Sequence, residues 1–171
     1  MRRRLLSALV FVIALGAALW YAPVHLNASA ADASALGALR LVDYVDDVFR
    51  FKVSYPADFA VREYAEEEAG ARTVIFEGPS PGEGFQVFVV PYDKPEITRE
   101  QFLTDDPSGV MDDAQQITID GVPAKSFFGH NDQMRDTREV WFIKNGLLYE
   151  VTTYKPLAPW LTDILLTWRF L

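Results

Sequence analysis

TREVWFIKNGLLYEVTTYK, running from Thr137 to Lys155, carries the strongest local structural signal in the chain. Its two halves, Thr137 to Lys144 and Leu147 to Lys155, are rich in β-branched and aromatic side chains and flank Asn145-Gly146. Both turn positions tolerate positive φ, which a two-residue hairpin loop requires. The dipeptide therefore predicts two antiparallel strands. Within them Trp141, Phe142, Tyr149 and Tyr154 divide between the two faces of a sheet, because successive side chains point opposite ways.

Working outward, Gln116 to Asp120 and Val122 to Gly129 flank Gly121 and read as a second strand pair. Arg72 to Glu77 (with Val74, Ile75 and Phe76) and Phe85 to Tyr92 (with Val87, Phe88, Val89 and Val90) are joined by the Gly/Pro-rich turn Gly78 to Gly84. Such a short turn predicts that these two strands are neighbours. From Val48, the residues Phe49, Phe51, Val53 and Tyr55 alternate with Arg50, Lys52 and Ser54, giving a strand with one buried face that Pro56 ends. Ala57-Asp58-Phe59 then turns an aromatic back toward the core. Leu36 to Val45 fits either a short helical turn or a first strand.

Two helices are legible. Thr98 to Leu103 has Thr98 as cap and Gln101 in the reciprocal position. Pro159 fits a helix start, followed by the apolar stripe Trp160, Leu161, Ile164, Leu165 and Trp168. Phe170 and Leu171 remain apolar, so this end of the chain is expected to be tied into the core. Meander-like strands with helices at the middle and end exclude a doubly wound parallel sheet. The pattern predicts an α+β domain over residues 38–171, one curved antiparallel sheet with one face covered by the C-terminal helix. No repeat and no second domain is visible.

Ahead of that domain, Arg2, Arg3 and Arg4 precede an apolar run from Leu5 to Tyr21, interrupted only by Ser7 and Gly16. A positive flank before such a run is a membrane-targeting helix that leaves the rest of the chain outside the cytoplasm. Residues 1–26 are thus a signal-anchor or a signal peptide, and 27–37 a linker rich in alanine, serine and aspartate. Trp20 and Tyr21 suit an interface and favour a single-pass anchor, whereas Ala28-Ser29-Ala30 supplies the small residues that cleavage near Ala30 needs. There is no cysteine, so neither a lipid-modified cysteine nor a disulfide is available.

The chain carries 16 basic and 24 acidic side chains, a formal charge of -8. Without the three leading arginines the remainder carries about -11, which opposes nucleic acid and anionic lipid.

Three pieces in order give the chain a family resemblance. FRFKVSYPADF (Phe49 to Phe59) matches an opening "F-x-F-x-x-x-Y-P-x-x-F" strand and turn. IDGVPA (Ile119 to Ala124) is similar to a "v-d-G-x-x-a" turn before a central strand. WFIKNGLLYEVT (Trp141 to Thr152), followed by ILLTWRF (Ile164 to Phe170), is like a final hairpin and an "i-L-x-T-f-r-F" helix end. From Val48 to Phe170 the chain resembles the PsbP/Mog1-like superfamily. The resemblance implies an antiparallel sheet held between helices, with docking, assembly or accessory binding as the expected role rather than catalysis. None of the matching pieces is chemical, and no functional residue of the photosystem or GTPase-binding branches carries over.

Chemistry is sparse. His25 lies beside the membrane segment, leaving His130, in a strand end followed by Asn131 and Asp132, as the histidine of the domain. Ser126 lies four residues from His130, about 13 Å along a strand, too far for proton transfer. A metal site would need carboxylates. Asp105, Asp106, Asp112 and Asp113, around Pro107, Ser108 and Gly109, form the nearest thing to an oxygen-rich calcium loop. No acid is marked by an apolar flank that would raise its pKa. Gly78 to Gly84 lacks the lysine and helix of a phosphate loop. Phe127 and Phe128 point to opposite faces; partial cover of both is favoured over an exposed docking patch.

The expected function is a noncatalytic extracytoplasmic accessory domain that binds a protein or envelope component, without a cofactor. The alternative is a small envelope hydrolase or a ligand- or cation-binding protein using carboxylates and His130.

Overall fold

β1 (Leu41–Asp46) and β2 (Phe51–Pro56) form an antiparallel hairpin at the start of the described chain. The computed structural model describes residues 40–66, 70–105, 109–131 and 135–171. The membrane-targeting segment and the linker lie outside these residues, and no helix within them is long and apolar enough to cross a membrane. Leu36 to Val45 resolves into a strand over its described part. The strand expected from Val48 begins later, at Phe51. Asp46 explains the difference: its Oδ1 accepts the N–H groups of Val48 (3.0 Å) and Phe49 (2.8 Å), and Arg50 adopts φ 59° to close the turn. Phe49 is still buried, although it sits in the turn.

Seven further strands build a second sheet. They are β3 (Ala60–Ala65), β4 (Arg72–Glu77), β5 (Gly84–Pro91), β6 (Asp112–Ile119), β7 (Val122–Asn131), β8 (Arg135–Lys144) and β9 (Leu147–Tyr154). Their order across the sheet is β3-β4-β5-β9-β8-β7-β6, antiparallel throughout. The β4–β5 and β8–β9 pairs are those that the turns predict, and the two strands flanking Gly121 pair as well. Asp120 and Gly121 take φ 44° and 78°, and Asn145 and Gly146 take 54° and 76°, the left-handed pair that a tight hairpin demands. β3 has no apolar alternation, because it is an edge strand exposed over most of its length.

The single sheet expected from sequence is in fact two. β10 (Arg169–Phe170) pairs with β2, giving a three-stranded sheet in the order β1-β2-β10. The chain leaves this small sheet at Pro56 through the turn in which the Phe59 N–H donates to the Pro56 carbonyl (3.0 Å). β3 therefore starts a new sheet.

One face of the large sheet is covered jointly by the small sheet and by α2 (Ala158–Leu166), not by the helix alone. Val87, Val89, Val140, Phe142, Tyr149 and Val151 meet Phe51 and Val53 of β2 and Leu161, Ile164 and Leu165 of α2. Trp168, wholly buried, fills the junction. Burying a large side chain of this kind contributes about 2–3 kcal/mol.

The opposite face carries α1 (Arg99–Asp105), whose first turn is capped as expected: the Gln101 N–H donates to Thr98 Oγ1 at 3.0 Å. Phe102 packs on Phe127 and Trp141, with ring centroids 5.3 and 5.2 Å apart. Ala71, Phe88, Val90, Ile97, Met111 and Leu148 complete this second cluster.

Candidate functional site

Of the four acids in the loop from Asp105 to Asp113, only Asp112 and Asp113 have described side chains. Asp105 closes α1, Asp106 lies outside the described residues, and Asp112 and Asp113 are exposed at the start of β6. Asp113 takes φ 50°, and the register shifts between Asp112 and Gln115. Among the described residues no group of three or more histidine or acidic side chains comes together.

His130 is exposed near the end of β7, and its Nδ1 lies 2.9 Å from Asp136 Oδ1 on β8. That hydrogen bond holds the Asp136 carboxyl below the usual range. Ser126 is sealed inside the sheet, where its hydroxyl donates to the Glu139 carbonyl at 3.3 Å. A histidine–serine pair is therefore not assembled at this position. Phe127 is buried under α1, while Phe128 is half-buried on the other face between Arg138 (4.9 Å) and Lys155 (4.8 Å). Both faces at this point are partly covered, as alternation favours.

Asp46 anchors a polar clamp between the sheets. Its side chain, 1% exposed, pairs with Arg72 of β4, which also meets Glu63 of β3 at 2.8 Å. The Arg72 guanidinium lies over the Phe49 ring at 4.7 Å, and Tyr44 donates to Glu63 at 3.0 Å. Burial, then the hydrogen bond to Glu63, pushes the Tyr44 hydroxyl far above its ordinary pKa. Its partners are all internal, so its role is to hold the fold.

A different constellation escapes sequence reading. The registers place Ile75, Gln86, Thr152, Glu139 and Phe127 in one row across β4, β5, β9, β8 and β7, on the face that carries α1. At the α1 end, Phe127 belongs to the second apolar cluster. In the middle, Glu139 is buried and accepts from the Thr152 hydroxyl (2.6 Å) and the Trp141 indole N–H (3.3 Å). Glu150, one row away, is buried too. Sequence reading marked neither acid as buried. The signal was present in Glu150, which interrupts an otherwise apolar Leu147 to Val151 run.

At the other end the row opens into a groove. Gln86, Ile75, Tyr64, Tyr154 and Gly82 line it, with Arg62 and Glu77 paired at 3.0 Å beside it. The volume, counted out to open solvent, is about 600 Å³. The Gly78 to Gly84 turn forms one wall. Gly82 packs so near Tyr154 that a Cβ there would lie 3.8 Å from its ring. Gly84 approaches the Phe76 carbonyl closely enough to exclude any side chain. Gln86 is 3% exposed, and its Nε2 has no hydrogen-bond partner.

Comparisons with known proteins follow the architecture. No family model matches the sequence, and no curated protein matches it. Among solved structures, the chain is similar to the cyanobacterial PsbP (CyanoP) of Synechocystis sp. PCC 6803, determined in solution. The TM-score is 0.56 at 13% identity, over 77% of this chain and 92% of that one. The order of strands and helices read from Phe49 to Phe170 is thus that of a PsbP-like fold.

Proposed function

We propose that this chain is a noncatalytic accessory domain, delivered to the outer side of a membrane by its N-terminal segment, where it docks a protein or envelope component. The observation that carries the reading is the apolar edge of the small sheet. β1 is its outer strand, and Leu41, Val45 and the adjoining Val48 expose apolar side chains there, Val48 to 73%. Open strand edges and apolar surface together favour association with another polypeptide. The placement of His130 and Ser126 also supports a binding role, since neither activates the other. The fold likeness points the same way only by analogy.

The test places a photo-crosslinking amino acid at Val45 of the full chain in intact cells, with the exposed Gln116 of β6, at the other edge of the large sheet, as control. A discrete adduct at Val45 that Leu41→Asp with Val48→Asp abolishes is expected. Equal labelling at both positions, or the full chain protected inside cells from external protease, would overturn the proposal.

A further inference from the structure

We infer that the groove beside Gln86 is a binding site for a neutral small molecule that presents a flat apolar body and one carbonyl-type acceptor. This site lies on the large sheet, away from the β1 edge, and the inference stands without the docking role.

The Gln86 amide nitrogen is an unmet donor. A buried amide hydrogen without a partner forfeits its hydration for nothing, so such groups are rare unless something else satisfies them. Here the neighbouring polar groups are already engaged. Thr152 donates to Glu139, and Thr153 donates to the Gly84 carbonyl at 2.6 Å. Of the fully buried side-chain groups that line the groove, the Gln86 amide nitrogen is the one left without a partner among the described residues. An acceptor arriving there would replace no internal bond.

The walls define the rest of the ligand. Tyr64, Ile75 and Tyr154 offer ring and aliphatic surface, which suits a planar apolar body. Charge selects against an anion. Arg62 is neutralised by Glu77, and Glu83, the other acid of the lining, is held by the turn, accepting the Ser80 N–H at 3.3 Å. The lining therefore carries one net negative charge. A carboxylate would meet that charge, whereas an amide or ketone oxygen would not.

The experiment titrates the uniformly 15N-labelled full chain, held in zwitterionic micelles, with benzamide and separately with benzoate. The side-chain amide pair of Gln86 and the backbone amides of Ile75 and Tyr154 are followed. Benzamide is expected to shift these signals saturably, and benzoate to bind about tenfold more weakly or worse. Gln86→Met keeps the volume and removes the donor. It should lower benzamide affinity about tenfold while melting no lower than the parent, since the unpaired group is gone. Should that variant not fold, Ile75→Trp fills the groove from its half-buried wall and should abolish the shifts. No saturable response to benzamide, equal affinity for benzoate, or undiminished binding by Gln86→Met would each overturn the inference.

Discussion

The rings of Phe51 and Trp168 stack 4.4 Å apart and 4° from parallel, tying β2 to the residues that follow α2. Trp168 also meets Phe142 and Tyr149 edge-on, at 5.2 and 6.0 Å. Trp168→Ala should therefore cost about 3–5 kcal/mol, and the Phe51→Ala, Trp168→Ala double-mutant cycle should show coupling of about 0.5–1.5 kcal/mol. Urea unfolding of the four proteins checks both figures. Strictly additive losses would show that the stack adds nothing beyond burial.

Arg72→Met should destabilise more than Asp46→Asn. Removing the cation leaves Asp46 charged and sealed, a loss of about 3–5 kcal/mol. The asparagine oxygen can still accept the Val48 and Phe49 N–H groups, so that change is milder. Adding Asp46→Asn to Arg72→Met should restore part of the stability, read from the same unfolding midpoints.

Alkaline pH should loosen the first cluster through Tyr149. Burial, with the Asp46 charge adding to it, pushes the Tyr149 hydroxyl up to about 12. The unfolded chain ionises near its ordinary value of about 10. The raised folded pKa thus stabilises fully below about pH 10, and that contribution is lost as pH climbs toward 12. Tyr44 shifts the same way. Tyr149→Phe should flatten the fall without abolishing it. Near neutrality the same change should cost about 1 kcal/mol, through loss of the 2.7 Å bond to the Phe49 carbonyl.

His130→Ala should leave the unfolding midpoint where it is, since His130 and Asp136 are both exposed. Its effect belongs to Asp136. With the imidazole gone, the carboxyl should titrate closer to its ordinary 3.8, as read by carbon NMR between pH 2 and 6. An unmoved titration would remove the hydrogen bond from consideration.

Gly84→Ala should be among the most damaging single-methyl additions. A Cβ at Gly84 would lie 2.2 Å from the Phe76 carbonyl oxygen, and φ is 145°. A loss of about 2–4 kcal/mol is expected in thermal or urea unfolding. Gly121, where nothing lies within 4 Å, should cost only about 1 kcal/mol through its φ of 78°.

Most strands could be read because local chemistry and burial agree. Asn145-Gly146 needs left-handed backbone and obtains it, and β4 and β5 carry apolar side chains that need cover. β3 was invisible because Ala60–Ala65 pairs with β4 at the edge of the sheet and most of its side chains face water, leaving no apolar alternation to read. The second sheet was hidden for a related reason. β10 is two residues long, and its pairing with β2 depends on contacts distant in sequence. The groove was less legible still. Gln86, Thr152 and Glu139 lie on three strands, and only the cross-strand registers bring them into line. Composition can mark a glutamine as polar, but not as unpaired.

The short seam between β10 and β2 makes the domain indivisible. Phe170 lies opposite Phe51, so the second and last strands of the fold complete one another. A fragment ending before Arg169 would leave one side of β2 without its neighbour, and would strip Phe142 and Tyr149 of a ring that packs on both. Contacts of such long range are slow to close. A nascent chain would thus reach its final form only once both ends of the domain stood in the same compartment.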